Sequence, residues 1–241
     1  MEVLNELLGY PKIKIYQDSD LFSFSIDSLL LADFATINQK VNSIVELCSG
    51  NGAISFYLTL RTSKQITSIE LQKKAFELAI KSNELNGFTN INFINDNLID
   101  INKKIGRQKY DLVIVNPPFF KYQEDSNINK SEFKTIARHE VECNLDDVVK
   151  ESSILLNNGG YLAMVHRPER LDEIILTLNK YNLSLKRLRF IYPKEGQTCN
   201  HILLEAKKTN NTGGVIVLPP LIVHSDNGEW TEEVLEIYNR K

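Results

Sequence analysis

Five short apolar runs separated by helix-forming stretches constrain the fold of this chain more than any other feature: 43–47, 65–70, 91–95, 110–115 and 161–165. Between them the periodicity predicts helices over Ala53–Arg61, over Gln72–Asn86 with Gly87 as its C-terminal cap, and over Leu145–Leu156 up to the turn Asn157-Asn158-Gly159-Gly160. Strands joined by helix-length crossovers run parallel, so the cadence predicts an α/β fold, doubly wound and mostly parallel, with helices on both faces. Two further runs, Leu183–Tyr192 and His201–Lys207, read as a C-terminal antiparallel pair, making seven strands. In the first of these the polar alternation slips at Lys186-Arg187, which predicts a β-bulge. The 241 residues are read as one domain, with a leader at 1–40, a core at 41–208 and a C-terminal extension at 209–241.

Composition sets limits. A hydrophobic share of 42% is ample for a core, and a net charge of -3 excludes a global positive field, so any nucleic-acid binding must come from a local patch. Cys48, Cys143 and Cys199 are odd in number and lack metal-ligand spacing, as do His166, His201 and His224, so neither a disulfide framework nor a metal site is expected. No basic segment followed by an apolar core opens the chain, and the most apolar late run, Val215–Val223, is broken by Pro219-Pro220. The reading is a soluble, cytoplasmic protein without a membrane contact and without an evident obligate protein partner.

Polar signals gather where predicted strands end, which is where an open parallel sheet places its ligand crevice. Glu46-Leu47-Cys48-Ser49-Gly50-Asn51-Gly52 closes the first strand, with Gly50 and Gly52 allowing backbone amides to approach a ligand. Glu70 ends the second, 18 positions after Gly52, where a carboxylate can accept both hydroxyls of a ribose. Asp96 follows the third, placed to bond an adenine amine. Together they outline a nucleoside pocket. A dinucleotide is the competing ligand, but Ser55 stands where that fingerprint wants its third glycine.

The fourth strand ends on Asn116-Pro117-Pro118-Phe119. Neither proline can donate to a ladder, so pairing stops there and leaves the Asn116 amide oxygen and the Pro117 carbonyl as acceptors beside an aromatic ring. Two acceptors and a ring suit a planar base bearing an exocyclic amine. Such an ending has no role in hydride transfer but suits methylation of an amine.

On these residues the chain resembles class I S-adenosylmethionine-dependent methyltransferases of the Asn-Pro-Pro-aromatic branch. Within it the chain is similar to bacterial tRNA adenine-N(6) methyltransferases that modify the adenosine next to the anticodon of a valine tRNA. Phe22-Ser23-Phe24-Ser25-Ile26-Asp27, Ala137-Arg138-His139-Glu140 and the Pro219–Val223 tail carry the closer match. Cys48 stands where many relatives have glycine, and Phe119 where many have tyrosine.

The resemblance implies a Rossmann-like methyltransferase sheet and S-adenosylmethionine held by Phe24, Ser25, Asp27, Glu46, Cys48, Gly50, Gly52, Glu70, Asp96 and Asn116, with the leader covering the cofactor. It implies that Asn116, Pro117 and Phe119 carry out catalysis on a flipped base, and that the product proton leaves to solvent. Substrate contacts are expected from Pro118, Phe119, Phe120, Arg138 and His139, and tRNA docking from the cationic group around Lys186 and Arg187. Ser25 and Asp27 are also candidates to cap the following helix. Alternatives are a guanine-N(2) methyltransferase of ribosomal RNA and a non-catalytic RNA-binding assembly factor with the same fold.

Overall fold

The computed structural model describes residues 1–21, 24–119 and 143–239. The central sheet is built from β3 (Ser43–Leu47), β4 (Gln65–Glu70), β5 (Ile91–Asn95), β6 (Tyr110–Val115), β7 (Leu156–His166), β8 (Leu183–Lys194) and β9 (His201–Lys208). Their order is β5-β4-β3-β6-β7-β9-β8. Neighbours from β5 to β7 pair in parallel, and β9 runs antiparallel to both β7 and β8. The chain winds outwards from β3 to β5 and then returns to β6, so the order reverses between β3 and β6.

Strict alternation along each strand creates two apolar layers. Ile44, Leu112 and Ala163 face one core with α1 (Ile26–Phe34) and α2 (Ala53–Thr59), and α3 (Lys73–Asn86) also packs there. Val45, Val113 and Met164, their chain neighbours, face the other core with α5 (Leu145–Leu155) and α6 (Leu171–Lys180), while the short α4 (Asn102–Ile105) lies against α5. Asn144 opens α5 with a capping box: its side chain accepts from the Asp147 amide at 3.0 Å, and Asp147 accepts from the Asn144 amide at 3.1 Å. Among the described residues no helix is long and apolar enough to cross a membrane.

Three features go beyond the sequence reading. The leader folds into an antiparallel hairpin of β1 (Glu2–Leu7) and β2 (Tyr10–Asp18), where no strands were expected. The central sheet has nine strands rather than seven, because β10 (Ile216–Val217) and β11 (Leu221–His224) both pair in parallel with the outer edge of β8. Pro219-Pro220 lies between them and can donate to no ladder, which splits the cover into two pieces. The expected turn at Asn157–Gly160 is an irregular opening of β7 instead: Leu156 pairs with Tyr110, the register then shifts, and Tyr161 pairs with Leu112. Asn157 donates to Asp111 at 2.8 Å there.

The bulge expected at Lys186-Arg187 is present, with the β8–β9 register shifting between Leu185 and Arg187. It sets the contacts that the two cations make within the chain. The Arg187 guanidinium turns onto the fully buried Glu205 carboxylate at 2.9 Å, donates to Thr36 at 2.8 Å and to the Phe34 carbonyl at 3.2 Å, and lies over the Phe34 ring. Lys186 donates to the carbonyls of Asn211 and Gly213. Arg189 is held by Glu233, on α7 (Glu232–Tyr238), and by the Pro219 carbonyl. These cations join the C-terminal extension and α1 to the sheet, so Arg187 has a structural role in holding Glu205 and α1. Arg187→Met leaves the Glu205 carboxylate buried without its cation. It should lower unfolding stability by about 3 kcal/mol, read from the shift of a urea denaturation midpoint at constant slope.

Candidate functional site

A cavity of about 370 Å³ opens at the carboxyl ends of β3, β4, β5 and β6, where the strand order reverses. The loop after β3 forms one wall. Cys48 takes a left-handed backbone conformation with φ of 55°, which explains why glycine is usual at this place in the resembling family. Its thiol meets that of Cys143, and this contact with burial pushes it well above the ordinary thiol range, so it stays neutral. Gly50 follows with φ of 55°, and a Cβ there would meet nothing within 4 Å, so the space beside it is open to a ligand although its amide is held by Glu70. Gly52 is different. Its amide is spent on the Ser49 carbonyl at 2.9 Å, and a Cβ would lie 2.9 Å from the Phe93 ring. Gly52 does not line the cavity, so its expected cofactor contact is replaced by a packing role at the start of α2.

Glu70 is the hinge of the second wall. Its Oε2 accepts from the Gly50 amide at 2.7 Å and its Oε1 from the Gln72 amide at 2.7 Å, which ties the loops after β3 and β4 together. Asn95 donates to the carbonyls of Glu70 and Leu71 and fixes the end of β4. Burial pushes the Glu70 carboxyl up. Asp96 is more open; Lys104 at 2.9 Å holds it below the usual carboxylate range, and it also accepts from the Asn97 amide. Phe24, Ser25 and Asp27 enter from the leader, with Ser25 donating to Asp27 at 2.8 Å instead of capping α1 through its side chain.

Beneath the first loop, Glu46 is buried and accepts from the Ser55 amide at 3.0 Å and from the Ser55 hydroxyl. Desolvation pushes its carboxyl up to about 8. Ser49 Oγ, Gln72 Oε1 and Glu46 Oε1 are buried without a partner, and all three residues line the cavity. Orphaned polar atoms beside an open glycine fit a polar ligand of nucleoside size, and they fit a sulfonium donor whose ribose lies near Glu70.

The wall after β6 carries Asn116, Pro117, Pro118 and Phe119, all lining the same cavity. The Phe119 ring is clamped edge-on between two imidazoles, His166 at 5.5 Å and His201 at 5.7 Å between centroids. Its carbonyl accepts from Arg170 at 3.2 Å, and Arg170 is itself held by Glu173. Arg167 and His201 also reach the cavity. Sequence reasoning missed His166, His201, Arg167 and Arg170, because no motif marks them: His166, Arg167 and Arg170 come to this wall through the pairing of β6 with β7, and His201 through that of β7 with β9. Phe120, Arg138 and His139 lie outside the described residues.

Residues 12–181 match the methyltransferase small domain family. The chain belongs to that family. Two relatives of this small-domain methyltransferase are proteins named tRNA1(Val) (adenine(37)-N6)-methyltransferase. One, from Flavobacterium psychrophilum, is 24% identical over 96% of this chain and 97% of its own. The other, from Porphyromonas gingivalis, is 26% identical over 96% and 93%. Among solved structures, a predicted O-methyltransferase from Agrobacterium tumefaciens shares the fold with a TM-score of 0.69 at 22% identity, covering 88% of this chain and 95% of its own. The M. jannaschii TYW2 protein in complex with AdoMet shares it at 0.57 and 14% identity, covering 86% and 85%.

The buried Glu46 gives the methyltransferase a pH signature. Its folded-state value of about 8 stands above the ordinary glutamate value of 4.5, so its contribution to stability is complete below about 4.5 and is lost as pH rises to about 8. Glu46→Gln keeps the acceptor for Ser55 and removes the titration. Unfolding free energies measured from pH 5 to pH 9 should decline with pH in the wild type and lose that decline in the variant, within the window set by this carboxyl.

Proposed function

We propose that this protein transfers the methyl group of S-adenosylmethionine to the exocyclic N(6) amine of an adenosine in tRNA, adenosine 37 next to the anticodon of a valine tRNA. One observation carries the reading. The loop after β3 with Gly50, the end of β4 with Glu70 and the Asn116–Phe119 ending of β6 open onto a single cavity, so a donor and an amine acceptor can share it.

In this reading Glu70 bonds the donor's ribose, Asp96 its adenine, and Gly50 with the Ser25–Asp27 turn encloses its methionine end. The bound donor supplies a reactive sulfonium methyl. The target base leaves its stack, which costs a few kcal/mol and less in an anticodon loop than in a duplex. Phe119 stacks on the base, a contact worth about 1 to 3 kcal/mol. The Asn116 oxygen and the Pro117 carbonyl accept the amine protons and direct the nitrogen lone pair at the methyl carbon. Positioning supplies most of the rate. The whole chain acts as one domain in the cytoplasm. The two relatives' names and their near-complete coverage support the choice of adenine and of tRNA.

Incubation with labelled S-adenosylmethionine and unmodified tRNA, followed by nucleoside digestion, should place label in N(6)-methyladenosine at position 37; label in N(2)-methylguanosine would reject the assignment. Asn116→Ala should leave donor affinity nearly intact by calorimetry and slow methylation at least about a hundredfold, since it removes an orienting acceptor. Equal turnover would take Asn116 out of the mechanism.

A further inference from the structure

His201 is the first residue of β9 and lines the same cavity. It lies next to the ring on which the target base would stack, with 5.7 Å between its centroid and that of Phe119. Behind it stands Asp27, whose Oδ2 is 3.7 Å from His201 Nε2 and accepts a hydrogen bond from Ser25 at 2.8 Å. This is the order of a base oriented by a carboxylate: an imidazole at the site and a carboxylate on one ring nitrogen, held in turn by a hydroxyl. A proton on Nε2 faces the carboxylate, which leaves Nδ1 as the basic nitrogen.

We propose that His201, oriented by Asp27, accepts the proton that the N(6) amine releases on methylation. The proposal rests on the adenine-N(6) reading above. The amine lone pair forms the new bond to the methyl carbon, the carbon–sulfur bond breaks, and its electron pair goes to sulfur, which becomes neutral. The nitrogen then carries the methyl group, two protons and the positive charge. One proton passes to His201 and leaves N(6)-methyladenine with an imidazolium, which Asp27 stabilises and which later returns its proton to solvent. No further reactant is needed.

The surroundings keep the imidazole ready. Burial holds His201 below the ordinary histidine range, Asp27 from α1 and Glu169 after β7 act in the opposite direction, and Arg167 adds to the lowering. His201 is therefore neutral at neutral pH. His166, the other imidazole against Phe119, is a poorer acceptor: its Nδ1 already accepts from the Arg167 amide at 2.8 Å, and burial with Arg170 lowers it to about 4. The expectation that the proton goes directly to solvent is replaced by a residue that takes it first.

The test is the single-turnover methylation rate against pH, with valine tRNA and saturating S-adenosylmethionine, for the wild type, His201→Gln, His201→Phe and Asp27→Asn. The wild type should lose rate on the acid side as His201 takes its proton. His201→Gln should be slower by about a hundredfold at neutral pH and lack that acid limb. His201→Phe, which keeps a ring against Phe119, should be as slow as His201→Gln. Asp27→Asn should move the acid limb to lower pH, because it removes the charge that favours the imidazolium. Donor affinity should be the same in the wild type and both His201 variants. A His201→Phe protein with wild-type rate would reduce His201 to a packing partner of Phe119, and an unchanged acid limb in His201→Gln would assign the proton elsewhere; either result overturns the proposal while the adenine-N(6) assignment stands. A wild-type protein that labels another base removes both.

Discussion

Leu47 at the end of β3 lies beside Val115 at the end of β6, and the two strands run parallel. Their polar sequels therefore leave the sheet on the same side, next to each other. Everything functional in this chain depends on that register. A slip of one residue would reverse the facing of β6, bury its polar ending and break the alternation by which Val113 and Leu112 serve two different cores. The strands on either side, β4 outward and β7 inward, bring Glu70 and His166 to the same rim.

Above the sheet, the site is held by a few strong contacts between loops. Glu70 receives two backbone amides and so fixes Gly50 relative to Gln72. Arg170 fixes the Phe119 carbonyl, and two imidazoles fix its ring. Each wall is thus tied together by its own contacts, and the donor and acceptor halves face each other across the cavity. This suits a reaction whose rate comes from bringing two atoms into line. Charges are spent sparingly there: Cys48, His166 and Glu46 are all driven towards their neutral forms by burial or close neighbours. Asp96 stays ionised beside Lys104.

The cations of β8 show how a reasonable inference from sequence can be redirected by packing. Lys186, Arg187 and Arg189 are the densest basic group on the C-terminal strands, and density alone suggests a phosphate partner. The bulge turns Arg187 inward onto Glu205, a residue 18 positions away that no local pattern connects to it. A carboxylate buried to 0% exposure requires a partner, and Arg187 supplies it.

The sequence by itself determined the seven core strands, the bulge and the residues that end β3 to β6, because these rest on local rules: period-two alternation, proline's missing donor and glycine's freedom at positive φ. It also pointed to Gly50, Glu70, Asp96 and Asn116, since polar groups at the carboxyl ends of buried parallel strands have one crevice to enter, and all four line the cavity. Only the tertiary structure decided which cations were free, that Gly52 packs on Phe93, that the leader is a hairpin, and that His166, His201 and Arg170 surround Phe119. The physical reason is sequence distance. Phe119 and His201 are 82 positions apart in the chain and meet only because β9 folds back antiparallel against β7.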